Sequence, residues 1–318
     1  MGWLYSLVAP LQAMLFEHLI EPVLYSAGLI TWADDAYEWL GDALLGLAFI
    51  TILYAVMRPL EAWVPFERWT SRRGVRIDVL YTLLERTGFL QMTFFLLFLP
   101  VSSTIEIWLH GHGYLPRNLE DLFPWLRSHP FVSVMAYLLV IDFFEYWRHR
   151  MQHQFHWWWG LHCIHHTQRT MSLWTDSRNH VLDSLIKWAW LAALANVIGV
   201  AGTQFLFLVL VKQGVESLSH ANVRFGFGPV GERLVVSPRF HRVHHTMGIG
   251  HQGRYRGCNF ASVFSLWDVL FRTARFDLAP GPTGVLDQRD GVDYGEGFWA
   301  QQRVGLARML GLPGARTS

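Results

Sequence analysis

The sequence predicts an all-α protein, a polytopic membrane helix bundle of about four spans with hairpin and interfacial helices and a cytosolic, histidine-rich helical cap. Three observations predict it. Hydrophobic residues make up 52% of the 318-residue chain and charged residues only 16%, against about 25% charged in soluble domains. Several apolar runs reach the length that hydrocarbon requires. Twelve of the sixteen histidines lie between positions 149 and 251, mostly at helical i, i+3 and i+4 spacing beside those runs. The formal net charge of +1, with no basic stripe, argues against a nucleic-acid partner. The two cysteines, Cys163 and Cys258, exclude a disulfide framework and a four-cysteine zinc site.

Four regions are apolar enough to enter a bilayer: about 40–57, 79–101, 131–146 and 181–211. Residues 3–31 alternate apolar stretches with Glu17, His18 and Glu21 and read as an interfacial or re-entrant helix. Residues 1–57 hold no Lys or Arg, so a cleaved signal peptide is not expected. The second region carries Glu85 and Arg86 as blemishes. The fourth is too long for one span: 31 helical residues cover roughly 46 Å against about 30 Å of hydrocarbon. Gly199 and Gly202 interrupt it, which predicts a hairpin with Lys187 and Lys212 snorkelling to one surface. A hairpin returns His220 to the side of the other histidines. Arg58, Arg68, Arg72, Arg73 and Arg76 precede the second region, only Arg117 and Arg127 precede the third, and Arg148, Arg150, Arg169 and Arg178 follow it. By the positive-inside rule the histidine clusters face the cytoplasm. Arg outnumbers Lys 24 to 2, from which a bacterial inner membrane is expected. The chain divides into an N-terminal membrane region 1–130, a catalytic region 131–275, and a C-terminal amphipathic tail 276–318, of which 297–311 is expected to lie on the surface.

The histidines read as metal ligands: His149 and His153 in HRMQH, His162, His165 and His166 in HCIHH, His220 in SHAN, and His241, His244 and His245 in HRVHH. From Asp142 on a helix, Tyr146 lies at roughly 40°, His149 at roughly −20° and His153 at roughly 20°. Asp142 and Tyr146 are therefore placed beneath the imidazoles as partners for their N–H groups. Neighbouring residues in HxxHH differ by about 100°, so His165 and His166 point toward two separate ions, as do His244 and His245. Nine imidazoles are too many for one metal and suit two. His180 is read as held by Asp183, beside the ligands or the substrate. Glu216 stands one turn before His220 and faces the metals without counting as a ligand. His18, His110, His112 and His129 read as satisfied core residues, His156 as part of an aromatic belt in HWWWG, and His251 as off the pattern.

Imidazole suits Zn, Cu, Fe and Ni. The HExxH of membrane metalloproteases is absent, and haem would need histidines within spans. An all-nitrogen, two-metal site beside lipid is best explained by iron and O2. Two rivals stand beside this. A metal-binding or transport protein places ionisable ligands near the midplane. A metal-dependent hydrolase activates water and needs neither O2 nor reductant.

The boxes HRMQH, HCIHH, SHAN and HRVHH, with the flanks DFFEYWRHRMQH and SPRFHRVHH, resemble the fatty acid hydroxylase superfamily of sterol desaturase-like membrane proteins. The segments CNF and SLWDVLFRT resemble a conserved stretch after the last box, which adds Asn259 to the residues expected around the ligands. The resemblance covers about 131–275. It implies two irons, for which zinc could substitute on purification, O2 as co-substrate, and hydroxylation or desaturation of a lipid C–H bond. With no cytochrome b5 segment in these residues, electrons are expected from a separate cytochrome b5- or ferredoxin-like protein.

Overall fold

The computed structural model describes residues 3–69, 73–114, 116–200, 202–249 and 257–312. Arg72, counted with the cytoplasmic arginines, and His251 lie outside them. The architecture is helical; among the described residues extended pairing is limited to two isolated bridges, Pro65 with Val223 and Thr246 with Thr283. Among the described residues three helices are long and apolar enough to cross a membrane: Ile30–Trp63, Pro130–Gln154 and Val181–Ile198.

The first apolar run extends at both ends into α1, Ala33–Trp63. The segment before it is not one helix. It runs as Ala9–Leu15, a π turn Phe16–Ile20 and Glu21–Ser26, with Pro10 and Pro22 each near a helix start, where proline is tolerated. Its Leu7, Leu19, Val23 and Tyr25 are exposed, while Gln12 is buried and donates to the Tyr37 carbonyl of α1 at 2.7 Å.

The second run does not form a single span. It divides into α2, Arg73–Arg86, and α3, Phe89–Gly111, at Gly88, whose φ of +75° only glycine adopts readily. The charged pair in mid-run explains the break. Arg86 pairs with Asp176 and Glu85 with Lys187, so both point into protein instead of lipid. Helix α1 packs directly on this break: a Cβ at Gly46 would stand 1.8 Å from the Arg86 carbonyl oxygen.

The third run continues without interruption into the first histidine box as α4, Pro130–Gln154. Phe155 is extended and reverses the chain into α5, His156–His166. The fourth run forms the expected hairpin: α6, Val181–Ile198, then Gly199 at φ +61°, then α7, Gly202–His220. Tyr137, Leu138 and Ile141 of α4 pack with Leu191, Leu194 and Ile198 of α6 and Leu208 of α7 in the main apolar core. Lys187 and Lys212 do not snorkel to the surface. Lys212 is buried between Glu145 at 3.0 Å and Glu216 at 2.6 Å. Lys187 is half-buried against Glu85 of α2; the fully buried Lys212 is tolerated because it is paired.

The last histidine box forms α8, Pro238–His244, capped by Ser237, whose Oγ accepts from the Phe240 N–H at 3.1 Å. A loop and a short helix α9, Leu266–Leu270, follow. The C-terminal segment is not merely surface-lying. Its helix α10, Phe298–Met309, buries Gln301, Gln302 and Arg308 and packs along α5. Arg308 pairs with Asp287 at 2.7 Å, and Tyr81 of α2 donates to Gln301 at 2.9 Å.

The contact between α5 and α10 is closest at Gly160, where a Cβ would stand 2.4 Å from the Met309 amide nitrogen. Gly160→Val should therefore destabilise the protein by about 1–3 kcal/mol, read as a lowered melting temperature in detergent.

Candidate metal centre

Four segments bring the histidines together: the C-terminal end of α4, all of α5, the last residue of α7, and α8. All nine are buried, none more than 7% exposed. They form two groups, His149, His153, His162, His166 and His244 in one, and His165, His220, His241 and His245 in the other, with ligand-capable atoms within 4.8 Å of one another in each group. His165 and His166 fall in different groups, as do His244 and His245. The 100° step between helical neighbours makes this division.

Five of the rings have an identified orienting partner. The Nδ1 of His149 lies 2.7 Å from the Phe260 carbonyl oxygen, and that of His244 lies 2.7 Å from the Cys258 carbonyl oxygen. The Nδ1 of His165 faces the Arg178 carbonyl at 3.1 Å, and that of His220 the Glu216 carbonyl at 2.7 Å. The Nδ1 of His162 faces Asp183 Oδ2 at 3.2 Å. All these partners are acceptors, so each Nδ1 carries the proton and donates, and each Nε2 presents a lone pair.

Those lone pairs converge. The Nε2 of His220 lies 3.1 Å from that of His165 and 3.0 Å from that of His241, and the His245 Nε2 lies 3.2 Å from the His241 Nε2. The Nε2 atoms of His149 and His162 are buried without a hydrogen-bond partner among the described residues. For His165 and His220, whose Nδ1 protons are accounted for, two acceptor nitrogens face each other, an arrangement that repels unless a cation lies between. Imidazoles around a metal with bonds of about 2.0–2.1 Å stand roughly 3.3 Å apart. The donor set therefore fits metal ions, in two groups, with nitrogen ligands throughout.

Electrostatics keep the rings neutral. Burial first, and then the neighbouring imidazoles, hold His165, His166, His241 and His245 well below the ordinary imidazole range. For His162 burial lowers the value and Asp183 opposes it. Burial pushes both cysteine thiols up to about 12, so neither offers a thiolate by itself.

The residues expected to orient the imidazoles are placed differently. Asp142 is buried on α4 but accepts from the Val263 and Phe264 N–H groups at 2.9 and 2.8 Å. The Tyr146 hydroxyl meets Thr273 Oγ1 at 3.0 Å. Both anchor the 257–273 loop, and that loop supplies the carbonyls that touch His149 and His244. Asn259, at φ +57°, stands between those two carbonyls. Its side chain donates to the Phe240 carbonyl at 2.9 Å and accepts from the Arg275 N–H at 2.8 Å. His180 touches neither group. Its Nε2 donates to the Gln302 carbonyl at 2.8 Å, and its Nδ1 accepts from the Leu182 N–H at 3.1 Å as the cap of α6. Asp183 instead serves His162, and also accepts from Gln152 Nε2 and the Trp158 indole at 2.8 and 2.7 Å. The Glu216 carboxylate binds Lys212, and only its backbone oxygen reaches His220. His18, His112 and His129 are exposed, not in a core, and each contacts the carbonyl four residues earlier.

A buried cluster of imidazoles in two metal-sized groups, at the ends of membrane-length helices, defines the class of site. Comparison with known proteins supplies the family. Residues 134–273 match the fatty acid hydroxylase family. The chain is 32% identical to human alkylglycerol monooxygenase over 55% of its own length and 36% of that protein's. It is 26% identical to the ornithine lipid hydroxylase OlsE of Rhizobium tropici, covering 84% of this chain and 78% of the relative. It is 24% identical to a Delta(7)-sterol 5(6)-desaturase of Gibberella zeae over 78% and 72% of the two chains. Residues 134–273 carry a fatty acid hydroxylase domain, and the relatives support the fatty acid hydroxylase superfamily. It spans about a third of the length of the alkylglycerol monooxygenase it matches. No solved structure matches it.

Asp183→Asn should lower metal retention or metal-dependent activity about 10–100-fold, measured as metal per chain after dialysis against a weak chelator. His180→Ala should leave metal content near wild type, because His180 touches neither histidine group.

Proposed function

We propose that this protein is a membrane-bound di-iron oxygenase that hydroxylates or desaturates a C–H bond of a lipid, using O2 and two electrons. The reading is carried by nine buried imidazoles gathered in two metal-sized groups, with facing nitrogens of His165, His220, His241 and His245 about 3.0–3.2 Å apart. The relatives' names support it, being lipid hydroxylases, monooxygenases and desaturases. The centre lies on the cytoplasmic side of a bacterial inner membrane, and electrons come from a separate cytochrome b5- or ferredoxin-like protein.

Iron held by these imidazoles supplies the reductive activation of O2 and the removal of hydrogen from an unactivated carbon. The residues do the rest. The nine histidines act as ligands, with His149, His153, His162, His166 and His244 on one ion and His165, His220, His241 and His245 on the other. The carbonyls of Arg178, Glu216, Cys258 and Phe260 and the carboxylate of Asp183 hold five of the rings, His149, His162, His165, His220 and His244, in one tautomer, so those ligands need no reorientation. Burial excludes bulk water. A cavity of about 70 Å3 opens beside His149, His162, His165, His220 and His241, with Arg148, Lys187 and Asp176 among its lining. It gives small molecules access to the centre. In hydroxylation, one oxygen atom enters the carbon and the other leaves as water after two electrons and two protons. In desaturation, both oxygen atoms leave as water.

The purified protein should bind about two irons per chain, one for each histidine group. With a lipid extract, a reductant and 18O2 it should yield labelled alcohol, or an unlabelled alkene with consumption of O2. His165→Ala should abolish turnover and empty its group of metal. Turnover without O2 or reductant would establish hydrolysis instead, and full activity in His165→Ala would remove the ligand assignment.

A further inference from the structure

A cavity of about 870 Å3 lies between the N-terminal helices and α1, α3, α6 and α7, a volume that holds a lipid head group with part of its chain. One side is apolar, with Leu96, Phe205 and Leu210. The α1 side carries Asp35, Glu38 and Asp42. Three N–H donors of the lining, Trp39 Nε1, Trp188 Nε1 and Arg86 Nη1, are buried and have no hydrogen-bond partner among the described residues. Arg86 is only 7% exposed.

These donors gather at the break between α2 and α3. A Cβ at Gly88 would stand 3.3 Å from Trp39 Nε1. Arg86 lies two residues before Gly88, and Trp188 follows Lys187, which pairs with Glu85. Buried donors without acceptors are unfavourable, so three around one cavity call for acceptor oxygens on a ligand. The Arg86 charge is already matched by Asp176, and Ser217 accepts from Arg86 at 2.6 Å. Arg86 is the one cation among the described lining residues, so the remaining charge of the cavity is acidic. Acidic residues beside Trp32, Tyr37 and Trp39 suit an ammonium group and oppose an anion.

Accepting that the protein acts on a lipid, we infer that this cavity binds a zwitterionic amphiphile. Its acceptor oxygens lie under Trp39, Trp188 and Arg86, and its cationic amine turns toward Asp42, Glu38 and Asp35. The spacing agrees. Gly46 of α1 abuts the Arg86 carbonyl, and Asp42 and Glu38 stand one and two turns away, about 6 and 12 Å along the axis. The Arg86–Asp176 pair is the partition between this head group and the histidines, because Asp176 also lines the small cavity beside His165, His220 and His241.

Native mass spectrometry of the iron-loaded protein, offered equimolar dioleoyl phosphatidylethanolamine, phosphatidylglycerol and diacylglycerol, tests this. Phosphatidylethanolamine should be retained about tenfold over phosphatidylglycerol. Trp39→Phe and Trp188→Phe should each cut that retention about threefold to tenfold, with iron content and melting temperature unchanged. The double variant Asp35→Asn, Glu38→Gln should erase the preference for the amine-bearing lipid. Equal retention of the three lipids, preference for either of the others, or indole variants matching wild type would overturn the assignment. The readout is binding, so a protein that selects the zwitterion but lacks O2-dependent turnover would sink only the oxygenase reading. An active oxygenase with no head-group selection would sink only this one.

Discussion

The structure depends on one constraint: each of five imidazoles has its Nδ1 proton committed to an acceptor, which forces its Nε2 lone pair inward. The acceptors come from four different places in the chain, namely Arg178, Asp183, Glu216 and the 258–260 turn. In an apolar environment the resulting cluster of like-facing lone pairs is unfavourable until cations occupy it. If metal ions occupy these groups as proposed, binding free energy and folding free energy are linked.

What keeps those acceptors in place is a set of buried polar ties around the bundle. Asp78 of α2 accepts from Arg178 and from Gln168 at 2.6 Å, which fixes the loop after the second histidine box. Glu61 of α1 accepts from the Leu173 and Asn222 N–H groups at 2.8 and 3.0 Å, tying the same loop to the segment after His220. Asp268 accepts from the Phe260 and Ala261 N–H groups at 2.8 Å and from Thr273, which shapes the turn facing His149. None of these carboxylates touches an imidazole. They are costly to bury and are offset by several donors each, and their effect is positional.

This explains which sequence expectations changed on folding. Asp142 and Tyr146 share the helix face of His149 and His153, and periodicity correctly groups them. That face meets a loop at one level and imidazoles at another, so the carboxylate binds backbone N–H groups and the phenol binds Thr273. His180 and Asp183 are close in sequence, yet the cap geometry of α6 turns His180 toward Gln302 and Asp183 toward His162. Gln152 and Trp158 also donate to Asp183, contacts that form only when the helices pack. The carbonyls of Arg178, Cys258 and Phe260 leave no signature, since every residue has one.

The sequence by itself determined the helical membrane class, the hairpin at Gly199, and the nine histidines with their alternation between two groups. These follow from local periods: span length, a left-handed glycine, and 100° per residue. Tertiary structure alone decided that the second apolar run breaks at Gly88, that Lys187 and Lys212 find carboxylate partners, that α10 packs on α5, and which acceptor orients each of the five rings. Those outcomes depend on contacts between residues as far apart as Tyr81 and Gln301 or Asp142 and Phe264. No local pattern encodes the partner of a buried charge or carbonyl, because that partner is selected only when the helices have packed.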